Sequence, residues 1–398
     1  MTRRDFLATS SLATGALFVP GFLQRLAAKP LAKTTDRVLV VVQLSGGNDG
    51  LNTLVPYRND LYYQARPSLA IPATEVIKVH DTQGLHPALA PLEALYKEGH
   101  LTLLNQVGYP NPDRSHFRSM DIWHTATDAD TYGTTGWLGR YLDSACPDGC
   151  ADHWAIEVDD SLSLALKGET RTGFAVSDPQ RLRRTVESGI QAEVVARQGE
   201  APTANAELDF LYKTTHTAYQ NVETLYRATQ GHPVADDYPQ SPLGRQLGLV
   251  GALIRSGLPT RVYYVSLAGF DTHVRQQAQH PRLLQQLAEA LAAFQADLTR
   301  QGAAPRVTTL VFSEFGRRVA QNGSGGTDHG AGGNLWLMGS ALKQPGFYNP
   351  APDLATLDRG DVPFALDFRQ VYATLLRDWL GADDAAILGR AFERLPLV

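Results

Sequence analysis

The chain has 398 residues, of which 43% are hydrophobic and 19% are charged, a composition typical of a folded globular protein. This length suffices for one large domain or two average ones, and the sequence shows no long low-complexity tract and no internal repeat. The formal net charge is −5, without a basic stripe or an arginine-rich helix, so we expect no nucleic-acid partner.

Residues 1–32 are predicted to be a signal peptide and not part of the fold. Arg3 and Arg4 precede Phe6 and a mild apolar stretch over 12–23, which glycine and proline interrupt. The pattern resembles a twin-arginine (Tat) export signal, and the apolar run is too short for a stable membrane span. We therefore expect the Tat translocase as a partner during export, a periplasmic or secreted location, and no stable membrane span in the mature chain. Because this route exports folded chains, it also favours a bound cofactor.

Residues 33–398 are predicted to form a single α/β domain. Apolar, β-branched runs predict buried strands over 37–44, 101–107, 261–267, 306–312 and 334–339. Helical patterns cover 87–99, 116–124, 179–197, 206–229, 243–256, 281–301 and 367–380. Strands that alternate with helices predict a three-layer fold, with a largely parallel sheet covered by helices on both faces. The region 179–256 is predicted to be a helical insertion or cap, since no clear linker flanks it.

The two cysteines, Cys146 and Cys150, lie close together in the sequence. In an oxidising compartment, a small loop-closing disulfide is the expected outcome. A zinc site would need two further ligands nearby, and His153 supplies only one candidate. A free thiol pair is the remaining alternative.

Acidic and imidazole side chains stand at one end of the predicted strands. They are Asp49 after the first strand, Ser115 and His116 after the second, Asp271 and His273 after the third, Glu314 after the fourth, and Asp328 with His329 just before the fifth. In open parallel sheets, sites form at the carboxyl ends of the strands. We therefore expect these groups to gather at one rim.

This set of side chains is typical of metal-dependent chemistry. Carboxylates and neutral imidazoles together bind zinc, manganese or related divalent ions, and two such ions can assist an in-line displacement. Ser115, at a helix start beside a metal, could become a nucleophile, and the helix N-terminus would favour an anion such as phosphate. Arg114, Arg118 or Arg317 could hold the remaining anion oxygens. Asn48 and Asp328 are expected to support the site or to contact the substrate.

Each candidate also has a simpler explanation. Asp49 could satisfy backbone amides in its glycine-rich turn. Ser115 could be only a helix cap. His273 could be a solvated loop residue, and Asp328 could orient His329 without binding anything itself.

Several segments together resemble one known family. They are the Tat-type N-terminus and residues 44–50, 114–117, 269–273, 313–317 and 326–330. The chain resembles the domain-of-unknown-function family number fifteen hundred and one, which is placed in the alkaline phosphatase and sulfatase superfamily. The resemblance spans essentially the whole mature chain and implies an alkaline-phosphatase-like fold.

The resemblance also implies roles for the site residues. Carried over by position, Asp49 would be the metal ligand of the first strand and Ser115 the nucleophile. One metal site would consist of Asp271, His273 and His329, and a second would join Glu314 to Asp49 and Ser115. The cofactor expected is one or two divalent ions of zinc, manganese or calcium.

The sequence departs from the superfamily pattern at three points. Asp-x-x-x-His becomes Asp271-Thr272-His273, and an Asp-His pair becomes Glu314-Phe315. Phenylalanine cannot bind a metal, and His116 is the candidate replacement. The sulfatase Cys-x-Pro-x-Arg signature is absent, which favours phosphate over sulfate esters.

Two functions follow from this pattern. The first is an exported metal-dependent hydrolase of phosphate-type, or less favoured sulfate-type, esters of small molecules or glycans, with His116 beside the nucleophilic Ser115. The alternative is a non-catalytic exported binding or assembly protein that keeps the fold and at most one structural metal, which Phe315 favours. A metal-free serine esterase is weaker, because Ser115 lacks the Gly-x-Ser-x-Gly or Gly-Asp-Ser context.

Overall fold

The computed structural model describes residues 36–146, 152–186 and 206–398. The predicted signal peptide, Cys150 and the predicted helical stretch beyond residue 186 lie outside these ranges, so the predictions for them stay predictions. The strands are β1 Val38–Ser45, β2 Leu54–Val55, β3 Gly84–Leu85, β4 Leu101–Gly108, β5 Ala155–Glu157, β6 Phe174–Ala175, β7 Val262–Ala268, β8 Val307–Ser313, β9 Gly333–Met338, β10 Gly346–Phe347 and β11 Leu366–Asp367. All five strands predicted from the sequence are confirmed.

The helices cover both faces of the main sheet. They are α1 Gly50–Thr53, α2 Asp60–Ala65, α3 Glu93–Lys97, α4 His116–Thr125, α5 Trp137–Ala145, α6 Pro179–Val186, α7 Ala206–Gly231, α8 Pro242–Arg255, α9 Gln276–Arg300, α10 Phe368–Thr374 and α11 Asp384–Leu388. No helix within the described ranges has both the length and the hydropathy needed to cross a membrane.

The main sheet is largely parallel, as predicted, with one exception. Over the described residues it has nine strands in the order β10-β4-β9-β8-β1-β7-β5-β6, with β11 also paired to β4. Strand β1 runs parallel to β7 and β8, whereas β9 runs antiparallel to β4 and β8. Because β9 runs the other way, its first residues lie at the edge where its neighbours end. Residues just before β9 therefore reach the same rim as residues that follow β8.

Strand β1 shows how the three layers form. Val40 and Val42 face a core that includes Val250 of α8 and Leu291 of α9. Val41 faces the opposite core, which includes side chains of α4, α5 and α10. Alternate residues of a strand point to opposite faces, so a continuous apolar run fills two cores at once. The predicted α/β three-layer class is confirmed.

Prolines account for two helix boundaries that the sequence analysis placed wrongly. The predicted helix 281–301 begins earlier, at Gln276, and contains Pro281. Proline removes one backbone donor, but the apolar face of α9, including Leu284 and Leu287, is fully buried and holds the helix. The predicted helix 87–99 is instead a 3₁₀ turn with Pro91 inside it, followed by α3.

The predicted helical insertion packs on the main body of the described chain. Leu225 of α7 is buried in the core that α8 and α9 share, and Leu182 of α6 packs against that core. The assignment of 179–256 as an insertion within a single domain stays a prediction.

Candidate functional site

A glycine turn after β1 brings three loops together. Gly46 and Gly47 have φ values of 121° and 75°, which glycine adopts without strain. A Cβ atom on Gly46 would lie 2.4 Å from the amide nitrogen of Asp271, and one on Gly47 would lie 2.3 Å from the Phe315 ring. The Gly46 amide donates to Glu314 Oε1 at 2.9 Å. The loops after β1, β7 and β8 are therefore in direct contact, as expected for the carboxyl ends of parallel strands.

Three histidines lie in this rim, each with one ring nitrogen held by an oxygen. The pairs are His116 Nδ1 with Glu314 Oε1 at 2.8 Å, His273 Nδ1 with Asp328 Oδ1 at 3.2 Å, and His329 Nδ1 with the Arg114 carbonyl at 2.7 Å. Carboxylate and carbonyl oxygens only accept hydrogen bonds, so each Nδ1 carries the proton. In the neutral rings, each Nε2 then has a free lone pair.

The three Nε2 atoms converge on one carboxylate oxygen, Asp271 Oδ1. Their distances from it are 3.4 Å for His116, 3.1 Å for His273 and 3.2 Å for His329. Nitrogen and oxygen ligands about 2.0–2.1 Å from a tetrahedral zinc ion lie about 3.3 Å from one another. The distances to Asp271 Oδ1 therefore fit a divalent cation, whereas His273 Nε2 and His329 Nε2 lie only 2.8 Å apart.

A buried atom without a partner supports the same conclusion. His116 Nε2 has no hydrogen-bond partner among the described residues. Leaving such an acceptor unsatisfied costs about 1–3 kcal/mol. The metal-binding atoms of His116, Asp271 and His329 all lie within 4.8 Å of one another. A cation among them would satisfy the orphaned nitrogen.

The charge states of Asp271 and His329 also suit a cation. Partial burial would raise the pKa of Asp271, but the hydrogen bond from Arg317 and its positive charge outweigh this effect and lower that pKa to about 2. Burial lowers the pKa of His329, which favours the neutral ring. The hydrogen bond to Glu314 raises the pKa of His116. At neutral pH the cluster holds an anionic carboxylate and a neutral His329 imidazole.

Arg317 ties the loops together and is not free to bind a substrate. It is fully buried and donates from Nε to the Gly47 carbonyl at 2.7 Å and from Nη1 to the Thr327 carbonyl at 2.8 Å. Its Nη2 reaches the Phe270 carbonyl at 3.0 Å and Asp271 Oδ1 at 2.8 Å. The predicted role in holding substrate oxygens is not supported by these contacts.

The other predicted arginines are also engaged. The guanidinium of Arg114 pairs with the buried carboxylate of Asp361. That of Arg118 donates to backbone carbonyls over residues 128–131. Arg275, two residues after His273, is exposed and forms no ion pair with any side chain in the described part of the chain. It was not predicted from the sequence as a site residue.

The structure does not bring Asp49 into the cluster. Asp49 is fully buried and caps α1, accepting from the Asn52 amide at 3.2 Å. Its Oδ2 pairs with Arg66 Nη1 at 2.6 Å and accepts from Gln276 Nε2. The carboxylate is thus already neutralised, which is the physical reason that its predicted ligand role is not supported. Asn48 is likewise buried, and its backbone N–H donates to Ser313 Oγ at 2.9 Å.

Ser115 occupies the cap position of α4, but its hydroxyl makes no capping hydrogen bond. Its backbone amide donates to Asp113 Oδ1 at 2.7 Å, and the side chain is exposed. Its two neighbours in sequence, Arg114 and His116, both contact the histidine cluster through the bonds described above. The Ser115 hydroxyl is therefore exposed and makes no capping bond at a helix start, where the first backbone amides generally lack partners within the helix.

Phe315 and Glu314 leave no free ligands for a second ion among the predicted set. The buried Phe315 ring lies 5.0 Å from the His116 ring and 4.7 Å from the His329 ring, between centroids. Glu314 Oε2 accepts a hydrogen bond from Ser313 Oγ at 3.0 Å, and its Oε1 accepts from the Gly46 amide and from His116 Nδ1. Glu314 therefore orients His116, and its predicted role as a ligand is not supported by these contacts.

Gln276 and Arg66 support the site and were missed by the sequence analysis. Gln276 Oε1 accepts from Thr272 Oγ1 at 3.2 Å and from Thr327 Oγ1 at 2.7 Å, so it links Asp49 to the loops that carry the site. Gln276 precedes Pro281, where the predicted helix began. Arg66 lies in an irregular segment without periodicity, where no sequence signal marks a buried cation.

A family model supplies the classification of the chain. The model described as "Protein of unknown function (DUF1501)" matches residues 105–394. The chain belongs to this family. The resemblance inferred from the sequence motifs is thereby confirmed. The matched residues include α4 and all three histidines of the cluster. The search of curated proteins found no match to the chain.

Solved structures similar to this DUF1501 chain overlap with it loosely. The C-terminal periplasmic domain of EcEptC from Escherichia coli has a TM-score of 0.38 at 11% identity, over 91% of this chain and 90% of that one. The phosphonate monoester hydrolase SpPMH from Silicibacter pomeroyi has a TM-score of 0.37 at 10% identity, over 91% and 78%. A protein in the alkaline phosphatase superfamily from Vibrio parahaemolyticus has a TM-score of 0.35 at 9% identity, over 91% and 71%. Because these TM-scores are low, the similarity to these structures supports no conclusion about function.

Proposed function

We propose that the protein is an exported metal-dependent hydrolase of phosphate-type esters. The observation that carries the proposal is the convergence of three imidazole Nε2 atoms on one carboxylate oxygen, with each Nδ1 anchored by an oxygen. Such anchoring is the usual way in which proteins orient histidine ligands of a metal. The absence of the sulfatase Cys-x-Pro-x-Arg signature favours phosphate over sulfate.

Four residues would hold the ion: His116, His273, His329 and Asp271. A nitrogen-rich set suits zinc better than calcium, which prefers oxygen ligands. A bound divalent ion would supply positive charge that stabilises the developing charge on the ester oxygens. We propose one ion per chain and not two, because the carboxylates predicted for a second site, Asp49 and Glu314, are bonded within the protein.

Ser115 would act as the nucleophile. Its Oγ forms a bond to phosphorus while the bond to the ester's alcohol oxygen breaks, and the serine proton passes through solvent to the departing alkoxide. Water then attacks the phosphoserine, which releases phosphate and returns a proton to Ser115 Oγ. The unpaired first amides of α4 would hold phosphate oxygens. Arg275 is the exposed cation beside the cluster that would attract the anion.

A second candidate is the non-catalytic binding or assembly protein. Its supporting observation is that the buried Phe315 ring packs against His116 and His329, so the cluster offers room for one metal site and not two. In this case the protein binds one ion without turnover of esters.

We also propose that export follows the Tat route, on the basis of Arg3 and Arg4 in the N-terminal sequence. Replacing both arginines by lysine should block export of the full-length chain in a Tat-competent host. Unchanged export would refute the route and leave the proposed chemistry unaffected.

The decisive experiment for the function is a screen of the zinc-loaded protein against phosphate monoesters, phosphate diesters and sulfate esters. The proposal predicts turnover of a phosphate ester that Ser115→Ala abolishes, while metal content and circular dichroism stay unchanged. Ser161→Ala, which removes another exposed serine hydroxyl, is the matched control. Undiminished turnover in Ser115→Ala refutes the nucleophile, and metal binding without any turnover selects the binding-protein alternative.

A further inference from the structure

The most exposed apolar side chains of the described residues lie beside the histidine cluster. Six large hydrophobic residues in the described part of the chain are exposed. The three most exposed are Phe117 at 88%, Tyr132 at 80% and Val274 at 51%. Phe117 directly follows His116, and Val274 directly follows His273. Single exposed apolar residues are common on protein surfaces, but two of the three most exposed ones directly follow histidines of one cluster, which points to a binding surface.

Phe117 and Val274 each directly follow one of the two outer histidines of the cluster in the sequence. The His329 ring lies between the other two imidazoles, 4.3 Å from the His116 ring and 4.6 Å from the His273 ring, between centroids. Phe117 and Val274 are therefore exposed apolar residues within one position of the two outer histidines. We name Phe117, Tyr132 and Val274 the apolar rim.

Arg118 connects the third member of the apolar rim to the first turn of α4. The Arg118 guanidinium carbon lies 4.0 Å from the centroid of the Tyr132 ring. That guanidinium is itself fixed by hydrogen bonds to the Ala129 and Thr131 carbonyls at 2.8 Å and 2.7 Å. The Tyr132 ring is thus held next to the helix that begins with His116, although it remains open to solvent.

We propose that the apolar rim binds the alcohol part of the ester, so that the substrate is a phosphate ester of an apolar alcohol. This inference rests on the function proposed above, since it assumes that the phosphate lies at the histidine cluster beside Ser115. A phosphate held there would lie one residue away from Phe117 in the sequence, and we infer that the group beyond the leaving oxygen contacts this exposed ring. An aromatic ring gains from contact with a second apolar or aromatic group, whereas a hydroxylated group such as a sugar gains less.

Binding of two non-hydrolysable anions tests the inference without requiring turnover. Isothermal titration calorimetry would compare phenylphosphonate with methylphosphonate on the zinc-loaded full chain. We expect phenylphosphonate to bind about tenfold more tightly, which corresponds to about 1.4 kcal/mol. In Phe117→Ala the preference should fall to within about twofold, while the methylphosphonate dissociation constant stays unchanged. Phe117→Leu should keep part of the preference, and Leu357→Ala, an exposed apolar control, should keep all of it.

The outcomes separate this inference from the proposed function. Binding of methylphosphonate without a preference for the phenyl group overturns the apolar rim and leaves the anion site intact. A preference that persists in Phe117→Ala overturns the role of Phe117. If neither phosphonate binds, the anion site itself is overturned, and with it both proposals. Because Phe117 is exposed, its substitution should leave the unfolding midpoint unchanged, which confirms that the comparison reports binding.

Discussion

Replacing Asp49 by alanine tests whether this carboxylate stabilises the fold through Arg66 or binds a metal ion. The side chains of Asp49 and Arg66 are both 0% exposed, and their charged atoms lie 2.6 Å apart. Burial would raise the pKa of Asp49, but Arg66 outweighs it and lowers the pKa, so the carboxylate is charged. Asp49→Ala would leave the guanidinium charge buried and unpaired, which typically costs about 3–5 kcal/mol.

That loss is large compared with the stability of a folded domain, about 5–15 kcal/mol. The assay is urea unfolding of the metal-free protein, followed by circular dichroism, together with elemental analysis of the folded, zinc-loaded variant. We expect Asp49→Ala to lower the free energy of unfolding by roughly 4 kcal/mol. We expect the zinc content per folded chain to stay equal to that of the unaltered protein.

A double-mutant cycle provides the control. Asp49→Ala with Arg66→Met removes both charges, so it should destabilise the protein less than the sum of the single changes, by about 0.5–3 kcal/mol. The opposite pattern would refute the reasoning. If Asp49→Ala lost the metal while its free energy of unfolding stayed within about 0.5 kcal/mol, Asp49 would be a ligand, as its position after the first strand suggested.

Two further predictions follow from the structure. Asp328 is exposed and anchors His273, so Asp328→Ala should weaken zinc binding about 10–100-fold in a competition titration with a chelator, at unchanged unfolding midpoint. Equal zinc affinity would show that this hydrogen bond does not orient the ring. Burial raises the pKa of Glu157 from 4.5 to about 7 in the folded state, so the folded chain binds its proton more tightly than the unfolded chain. Stability should therefore fall as pH rises from about 4.5 to about 7, and Glu157→Gln should flatten this slope in urea unfolding; a slope unchanged in the variant would show that Glu157 is not its source.

The direction of β9 shows what the sequence could and could not determine. The apolar run of β9 predicted a buried strand, and its position was confirmed. Its direction depends on pairing with β4 and β8, which no local pattern encodes. The prediction that Asp328 and His329 reach the rim was nevertheless right, because an antiparallel strand begins where its parallel neighbours end.

The roles of the acidic residues were harder to predict than their location. Asp49 and Glu314 both lie near the ends of their strands, as expected from the sequence. Whether a carboxylate binds a metal depends on what else can neutralise or hold it. Arg66, distant from any motif, neutralises Asp49, and the Gly46 amide with His116 occupies Glu314. Such long-range partners are fixed by tertiary packing and leave no local signal in the sequence.

The expected roles of His116 and Asp328 can also be compared with the structure. His116 was expected as a catalytic residue with Ser115, or as a replacement for a missing ligand, and its Nε2 is the buried atom without a partner in the described cluster. The helix start at Ser115 positions the His116 ring, but its anchoring bond depends on Glu314, which is distant in the sequence. Asp328 was considered as a partner of His329, and the structure pairs it with His273.

The central claim, one ion held by three histidines and Asp271, is tested most directly by measuring the metal. The mature protein would be purified without chelators or metal-affinity columns, and its metal content and X-ray absorption spectrum would be recorded. We predict one divalent ion per chain, with imidazole nitrogens in the first coordination shell that decrease in number in His116→Ala. No bound ion after refilling with zinc, manganese or calcium, or a shell without imidazole, would contradict the assignment of this cluster as a metal site.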